Sequence, residues 1–193
     1  MLNDQKKKGK LLIFSAPSGT GKTTIIKELM KKFSELKFSI SATTRKPRGD
    51  EKNGVEYFFL TKEDFQEKIK TEEFVEYKNV YENYYGTLKS YVDKSLKEGK
   101  NIIFDVDVQG ALEIKKEYPD DSIMIFIYPP SIEDLKVRLE MRGTDSSEII
   151  EKRLKYAKKE LDQMDRYDHK VKNEKIDDAV YEITNILKKI DIN

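Results

Sequence analysis

The segment Ala16-Pro17-Ser18-Gly19-Thr20-Gly21-Lys22-Thr23 gathers two glycines, an ammonium and a hydroxyl into eight residues. The apolar run Leu11-Leu12-Ile13-Phe14 precedes it, and the helical pattern Thr24-Ile25-Ile26-Lys27-Glu28-Leu29-Met30 follows. Strand, glycine-bearing loop, Gly-Lys-Thr and helix together make a cradle for the phosphates of a nucleoside triphosphate. Gly19 and Gly21 let the backbone curl until its N–H groups converge on one anion. The helix adds the positive end of its dipole. Lys22 can set its charge against the outer phosphates, and the Thr23 hydroxyl can ligate Mg²⁺. The pattern ordinarily opens on Gly, where this chain has Ala16. A small side chain suffices there if the backbone angles are ordinary. A plain strand-to-helix turn is the alternative, and the flanking strand and helix favour the cradle.

Further candidates lie downstream. Ser41-Ala42-Thr43-Thr44-Arg45-Lys46-Pro47-Arg48 sets two guanidinium groups three residues apart, with Pro47 stiffening the turn. Each planar fork can donate two parallel charged hydrogen bonds to a phosphate. Tyr57 and Tyr85 could add phenolic donors, although ordinary surface salt bridges explain the arginines equally well. Ile102-Ile103-Phe104-Asp105 is an apolar strand ending in a carboxylate, the usual place for a residue of the magnesium shell. Asp107 follows two residues on and shares a face with Asp105 if the strand continues. Which of the two serves metal, and whether either merely caps the next helix, stays open. Arg138 and Arg142 sit four apart on one helical face.

These groups need a scaffold. Apolar runs alternate with helical patterns, which predicts an α/β domain around a parallel sheet covered on both faces. Strands are expected at residues 11–15, 38–41, 102–106 and 122–128. Helices are expected at 22–33, 108–117, 132–141, 147–164 and 177–189. Ser131 should cap the third of these, with Asp134 in its first turn. Residues 42–100 break the rhythm with short β-like pieces at 55–60 and 74–79. Between them lies a helix that Thr61 and Asp64 can cap, and Tyr84-Tyr85-Gly86-Thr87 leads into a helix stopping near Gly99. This region reads as a mostly β insertion receiving a second substrate. Arg142-Gly143-Thr144-Asp145-Ser146-Ser147 has the length and polarity of a lid.

Composition removes several classes. The 193 residues suit one domain with inserted parts. Lys and Arg number 37 against 36 Asp and Glu, so net charge gives no support to general nucleic-acid binding. The chain has no cysteine, which excludes disulfides, zinc thiolates and thiol nucleophiles. No apolar run is long enough to span a membrane, and no signal peptide is read at the start. The basic stretch through Lys6, Lys7, Lys8 and Lys10 is expected to be a solvated, frayed tail.

The chain resembles the guanylate kinase family. The likeness rests on the cradle, on residues 41–48, and on Asn53-Gly54-Val55-Glu56-Tyr57-Phe58-Phe59. It continues through Glu72-Glu73-Phe74-Val75-Glu76-Tyr77, Asn83-Tyr84-Tyr85-Gly86-Thr87, Ile103-Phe104-Asp105-Val106-Asp107-Val108-Gln109-Gly110 and Arg138-Leu139-Glu140-Met141-Arg142-Gly143-Thr144. The resemblance implies a three-layer phosphate-loop fold and ATP-dependent phosphorylation of GMP or dGMP, with Mg²⁺. The domain would run over 9–187, with core segments 9–40, 97–140 and 155–190, a GMP-binding insertion 41–96 and a lid 141–154. Arg45, Arg48, Tyr57 and Tyr85 would hold the GMP phosphate, with Thr87 and Asp107 in the same site. Glu76 would accept from the paired N–H donors of guanine, and Ser41 would donate to its O6. ATP would lie on Ala16 to Thr23 and Asn173, while Lys22, Arg45, Arg138, Arg142 and Arg153 neutralise the transferring group. Tyr156, Tyr167 and His169 are expected to pack or sit exposed. The expected partners are small molecules only, in a cytoplasmic monomer or homodimer. A phosphopeptide-binding scaffold and a kinase for another acceptor are the rival readings. The intact Gly21-Lys22-Thr23 opposes the first, and Ser41 with Glu76 the second.

Overall fold

The computed structural model describes residues 7–192. The first strand, β1 (Leu11–Ser15), is wholly buried and runs into the cradle loop, from which α1 (Lys22–Lys32) emerges. α1 buries Ile25, Ile26 and Leu29 and ends on Lys31 and Lys32, whose charges suit the negative end of the helix dipole. The chain then forms β2 (Leu36–Phe38) at the sheet edge. It returns to this sheet only with β7 (Asn101–Asp105), α4 (Val108–Glu117), β8 (Ser122–Tyr128), α5 (Ile132–Met141), α6 (Ser147–Leu161), β9 (His169–Lys172) and α7 (Ile176–Lys189). The five strands lie in the order β2-β7-β1-β8-β9, all parallel.

Alternation along β1 splits the core in two. Leu12 and Phe14 pack with α1 and α7, whereas Leu11 and Ile13 pack with α4 and the helix α3 (Lys89–Lys97). The expected three layers are therefore present. Because β7 and β8 flank β1, the cradle opens at a point where the strand order reverses, beyond the carboxyl ends of the strands.

Between β2 and α3 lies a second, mixed sheet. It contains β3 (Ser41–Thr43), β4 (Tyr57–Phe59), β5 (Phe74–Val80) and β6 (Asn83–Leu88), in the order β4-β3-β6-β5. Helix α2 (Lys62–Lys70) covers one face, where Phe65 stacks on Phe74 with centroids 4.2 Å apart. Thr61 caps α2 by accepting from the Asp64 N–H at 3.0 Å, as its sequence position predicts. Ser131 caps α5 through the same contact with Asp134.

Several boundaries differ from expectation. The single strand expected at 38–41 is two strands in two sheets. Ser39 N–H makes a last ladder bond to Ile103 O at 2.8 Å, after which the backbone crosses to the second sheet. The apolar stretch straddles a hinge and hides it. The piece expected at 55–60 shortens to β4, because Gly54 N–H closes a turn on Tyr57 O at 2.8 Å. Residues 84–87, expected only to lead into a helix, form most of β6. The strand β9 was not expected at all, since only Val171 of its four residues is buried. α6 ends at Leu161, short of 164, and a 3₁₀ turn follows at Met164–Arg166.

The N-terminal tail is also anchored in its described part. Lys7 pairs with Asp191 at 2.8 Å, Lys8 with Asp121, and Lys10 Nζ donates to Asp120 O at 3.0 Å. Residues 1–6, with Lys6, lie outside the described residues. Among those described, no helix is long and apolar enough to cross a membrane.

Candidate functional site

The loop between β1 and α1 owes its shape to two left-handed residues, Gly19 at φ 97° and Gly21 at φ 99°. Thr20 closes it on Pro17 O through its N–H at 3.1 Å and its hydroxyl at 2.6 Å. Lys22 reaches back across the loop to Asp105 at 2.6 Å and to Val106 O at 3.2 Å. Two residues picked from separate motifs thus meet at the carboxyl ends of adjacent parallel strands. A cleft of about 400 Å³ opens here, with the exposed Thr23 on its wall.

Arg138 and Asn173 meet the loop in a second cavity, which Gly19, Gly21 and Arg142 also line. Asn173 Nδ2 donates to Thr20 O at 2.5 Å, and Arg138 donates to Thr20 O at 3.4 Å and to Asn173 O at 2.8 Å. Both grip loop backbone in this arrangement. Arg142 is exposed and lines the cleft. Arg153, on α6, donates to Ser18 Oγ at 3.4 Å and pairs with Asp145 at 3.3 Å, tying residues 142–146 to the cradle.

The second sheet contributes a polar face, set by strand register. Ser41 pairs with Tyr57, Thr43 with Tyr85, Lys78 with Tyr85, and Glu76 with Thr87. Directly opposed residues share a face, as do residues two apart on a strand. Ser41, Tyr57, Glu76, Tyr85 and Thr87 therefore stand on one side, while Ala42, Phe58, Tyr84 and Leu88 pack on the other around Phe65. Lys78 shows where the polar side points: it lines the phosphate cleft and pairs with Asp107 at 3.2 Å.

Glu76 is 8% exposed, and its Oε1 accepts from the Thr87 hydroxyl at 2.7 Å. Burial pushes its carboxyl above the ordinary range, and Asp107 and Glu113 add repulsion; the Thr87 bond and Lys78 act the other way. A buried carboxylate with its second oxygen uncommitted to a cation is prepared for a ligand with donors. Arg45 lies over the Tyr57 ring at 5.2 Å from its centroid. Its ion pair with Glu51, at 2.9 Å, matches the salt-bridge alternative raised by the sequence. Arg45, just past β3, lies together with Tyr57 of β4 and Tyr85 of β6, with exposed Arg48 on the adjoining turn, and none of the four lines the phosphate cleft itself.

The two aspartates separate by geometry. Asp107 caps α4, accepting from Gly110 N–H at 2.9 Å. Burial opposes its ionisation, but Gly110, Lys78 and Lys22 outweigh burial and hold its carboxyl below the ordinary range. Asp105 stands instead on Lys22. Tyr156 is exposed and Tyr167 packs edge-on against Phe126 at 4.9 Å, so each packs or sits exposed as expected.

Three residues escaped the sequence reading. Glu51 holds Arg45, Lys78 bridges the two halves of the site, and Glu160 lines the phosphate cleft. Burial raises the Glu160 carboxyl, with Asp107 reinforcing and Lys22 opposing. The signal that could have found Lys78 is its place two residues after Glu76 on β5, and so on the same face. Glu160 stands seven residues after Arg153 and so on the same helical face.

A parallel sheet with a phosphate-cradling loop after its first strand, facing a polar second sheet across a cleft, defines a phosphate-loop nucleotide-binding protein. The guanylate kinase family model matches residues 8–190. The chain is 54% identical to a guanylate kinase of Porphyromonas gingivalis over 94% of this chain and 96% of that one. It is 50% identical to one of Bacteroides thetaiotaomicron, over 93% and 89%. Its fold is similar to the crystal structure of guanylate kinase from Anaplasma phagocytophilum, at TM-score 0.70 and 28% identity, covering 98% of this chain and 89% of that one. The chain belongs to the guanylate kinase family. That membership carries a nucleotide-kinase activity, the ATP-dependent phosphorylation of GMP.

Proposed function

We propose that the chain transfers the γ-phosphoryl group of ATP to the 5′-phosphate of GMP or dGMP through the residues gathered at this cleft. A phosphate oxygen of GMP forms the new P–O bond as the bond to the ADP leaving oxygen breaks. The acceptor is already ionised, so no general base is required, and the protein acts by positioning and charge stabilisation. ATP lies on Ala16 to Thr23, with Lys22 against its outer phosphates and Asn173 at its nucleoside end. Arg142 and Arg153 neutralise the transferring group, and Arg138 joins them by releasing the carbonyls of Thr20 and Asn173. GMP lies on the polar face, its phosphate held by Arg45, Arg48, Tyr57 and Tyr85, near Asp107. Its guanine N1–H and amino group go to Glu76, with Ser41 donating to O6.

Thr23 and Asp105 line one cleft, and their hydroxyl and carboxylate would hold Mg²⁺, Asp105 exchanging its Lys22 partner for the ion. The ion supplies charge neutralisation between the phosphates when bound. Residues 41–96 act as the GMP-binding insertion and 141–154 as a lid, and their closure excludes water that would otherwise hydrolyse ATP. We infer a cytoplasmic location from the substrates.

The observation that carries this reading is the buried Glu76, held by Thr87 on the same face as Tyr57 and Tyr85 and across from the cradle. Guanine fills a two-oxygen acceptor with two donors, while adenine leaves it unpaired, which can cost 10⁴-fold or more in discrimination. A coupled assay with ATP and GMP, dGMP, AMP, UMP or CMP tests it. Turnover is expected with GMP and dGMP. Comparable turnover with AMP would overturn the role of Glu76.

A further inference from the structure

Arg45 is already held by Glu51, Lys46 O and the Tyr85 phenol before any substrate arrives. Its Nη1 donates to Glu51 Oε2 at 2.9 Å and to Lys46 O at 2.7 Å, and its Nη2 donates to Glu51 Oε1 at 2.9 Å. Glu51 Oε2 also accepts from the Arg48 backbone N–H at 2.8 Å, and the Glu51 N–H bonds to Arg48 O at 3.2 Å. One carboxylate thus fixes the end of the Arg45 fork and the turn carrying Arg48. The Arg45 fork in turn holds the Glu51 carboxyl below the ordinary range, so the pair stays charged.

A guanidinium has five N–H bonds. Three are spent on Glu51 and Lys46 O. The other two, Nε–H and the second Nη2–H, lie along one edge of the plane, and the Tyr85 phenol is a further hydrogen-bond partner of the guanidinium. That side edge is a second bidentate fork, matched to two oxygens of a phosphate. The plane itself is steadied by the Tyr57 ring, and the Tyr85 phenol faces the same group.

We propose that Glu51 is a positioning residue for the acceptor phosphate: it clamps the end fork of Arg45 so that the side fork is presented to the 5′-phosphate of GMP. This rests on reading the polar face as the GMP site. It differs from a gate, in which Glu51 would occupy the phosphate's own position and have to leave.

The test is calorimetric binding of GMP and of guanosine, which lacks the phosphate, to the full chain and to Glu51→Gln. An amide offers one acceptor oxygen where the fork needs two. Loss of a partner that orients a ligand-binding side chain costs about 10–100-fold at metal sites, and a loss of tenfold or more is expected here for GMP. Guanosine affinity and the KM for ATP should stay as in the parent, which also certifies the fold. In the Arg45→Lys background, Glu51→Gln should add nothing, because no fork remains to orient. Equal losses for GMP and guanosine, unchanged GMP affinity, or additive losses would each overturn the proposal. Tighter GMP binding would replace it with the gate. A parent chain that bound neither ligand would overturn the GMP-site reading beneath it.

Discussion

Gly21→Ala isolates what the cradle asks of its backbone. At φ 99° an L-residue is strained by roughly 1–2 kcal/mol. The new Cβ would stand 2.6 Å from Asn173 Nδ2 and 3.3 Å from Ile176 Cδ1. Asn173 must then yield, and its 2.5 Å bond to Thr20 O goes with it, at about 0.5–1.5 kcal/mol. A total loss of about 1.5–3.5 kcal/mol follows, which for a domain of this size lowers Tm by roughly 3–14 °C. Gly49→Ala is the control: φ is 56°, but nothing lies within 4 Å of the added methyl. Only the backbone strain acts there, at about 1–2 kcal/mol or a few degrees. Thermal melts of both variants by circular dichroism, with the KM for ATP from a coupled assay, give the comparison. Gly21→Ala should melt below Gly49→Ala and show a raised KM for ATP. Coincident melts would refute the contact argument, and an unchanged KM for ATP would separate the loop from ATP binding.

Lys22→Ala removes the ammonium nearest the outer phosphates, and turnover should fall about a hundredfold or more while the melt persists; ordinary turnover would take Lys22 out of the mechanism. Glu76→Gln should lose preference for GMP over AMP, read as the ratio of kcat/KM values. It should also stabilise the ligand-free protein at neutral pH. Burial raises the Glu76 carboxyl, so the folded chain binds that proton more tightly than the unfolded chain does. The associated stability is present below the ordinary carboxylate range and is lost as pH rises through the folded value. Gln cannot ionise, so its advantage in Tm should shrink as pH falls below the ordinary range. A constant gap between pH 4 and pH 8 would contradict the burial argument.

The sequence by itself determined the cradle, because a phosphate loop is local: eight consecutive residues, their two glycines and the flanking strand and helix define it without help from distant parts of the chain. The buried strands of the parallel sheet and the caps at Thr61 and Ser131 were legible for the same reason. What escaped depended on separation along the chain. β9 carries too little apolar pattern to announce itself, and its pairing with β8 exists only because the intervening helices bring it there. Residues 38–41 read as one strand because hydrophobicity records burial, not which sheet does the burying. Asp105 and Asp107 are equivalent in spacing; the fold separated them by sending one to Lys22 and turning the other into a helix cap. Glu51, Lys78 and Glu160 are ordinary charges in the sequence. Only the tertiary structure decides which cation each faces and how much water is left around it, and those two quantities set what a charge can do.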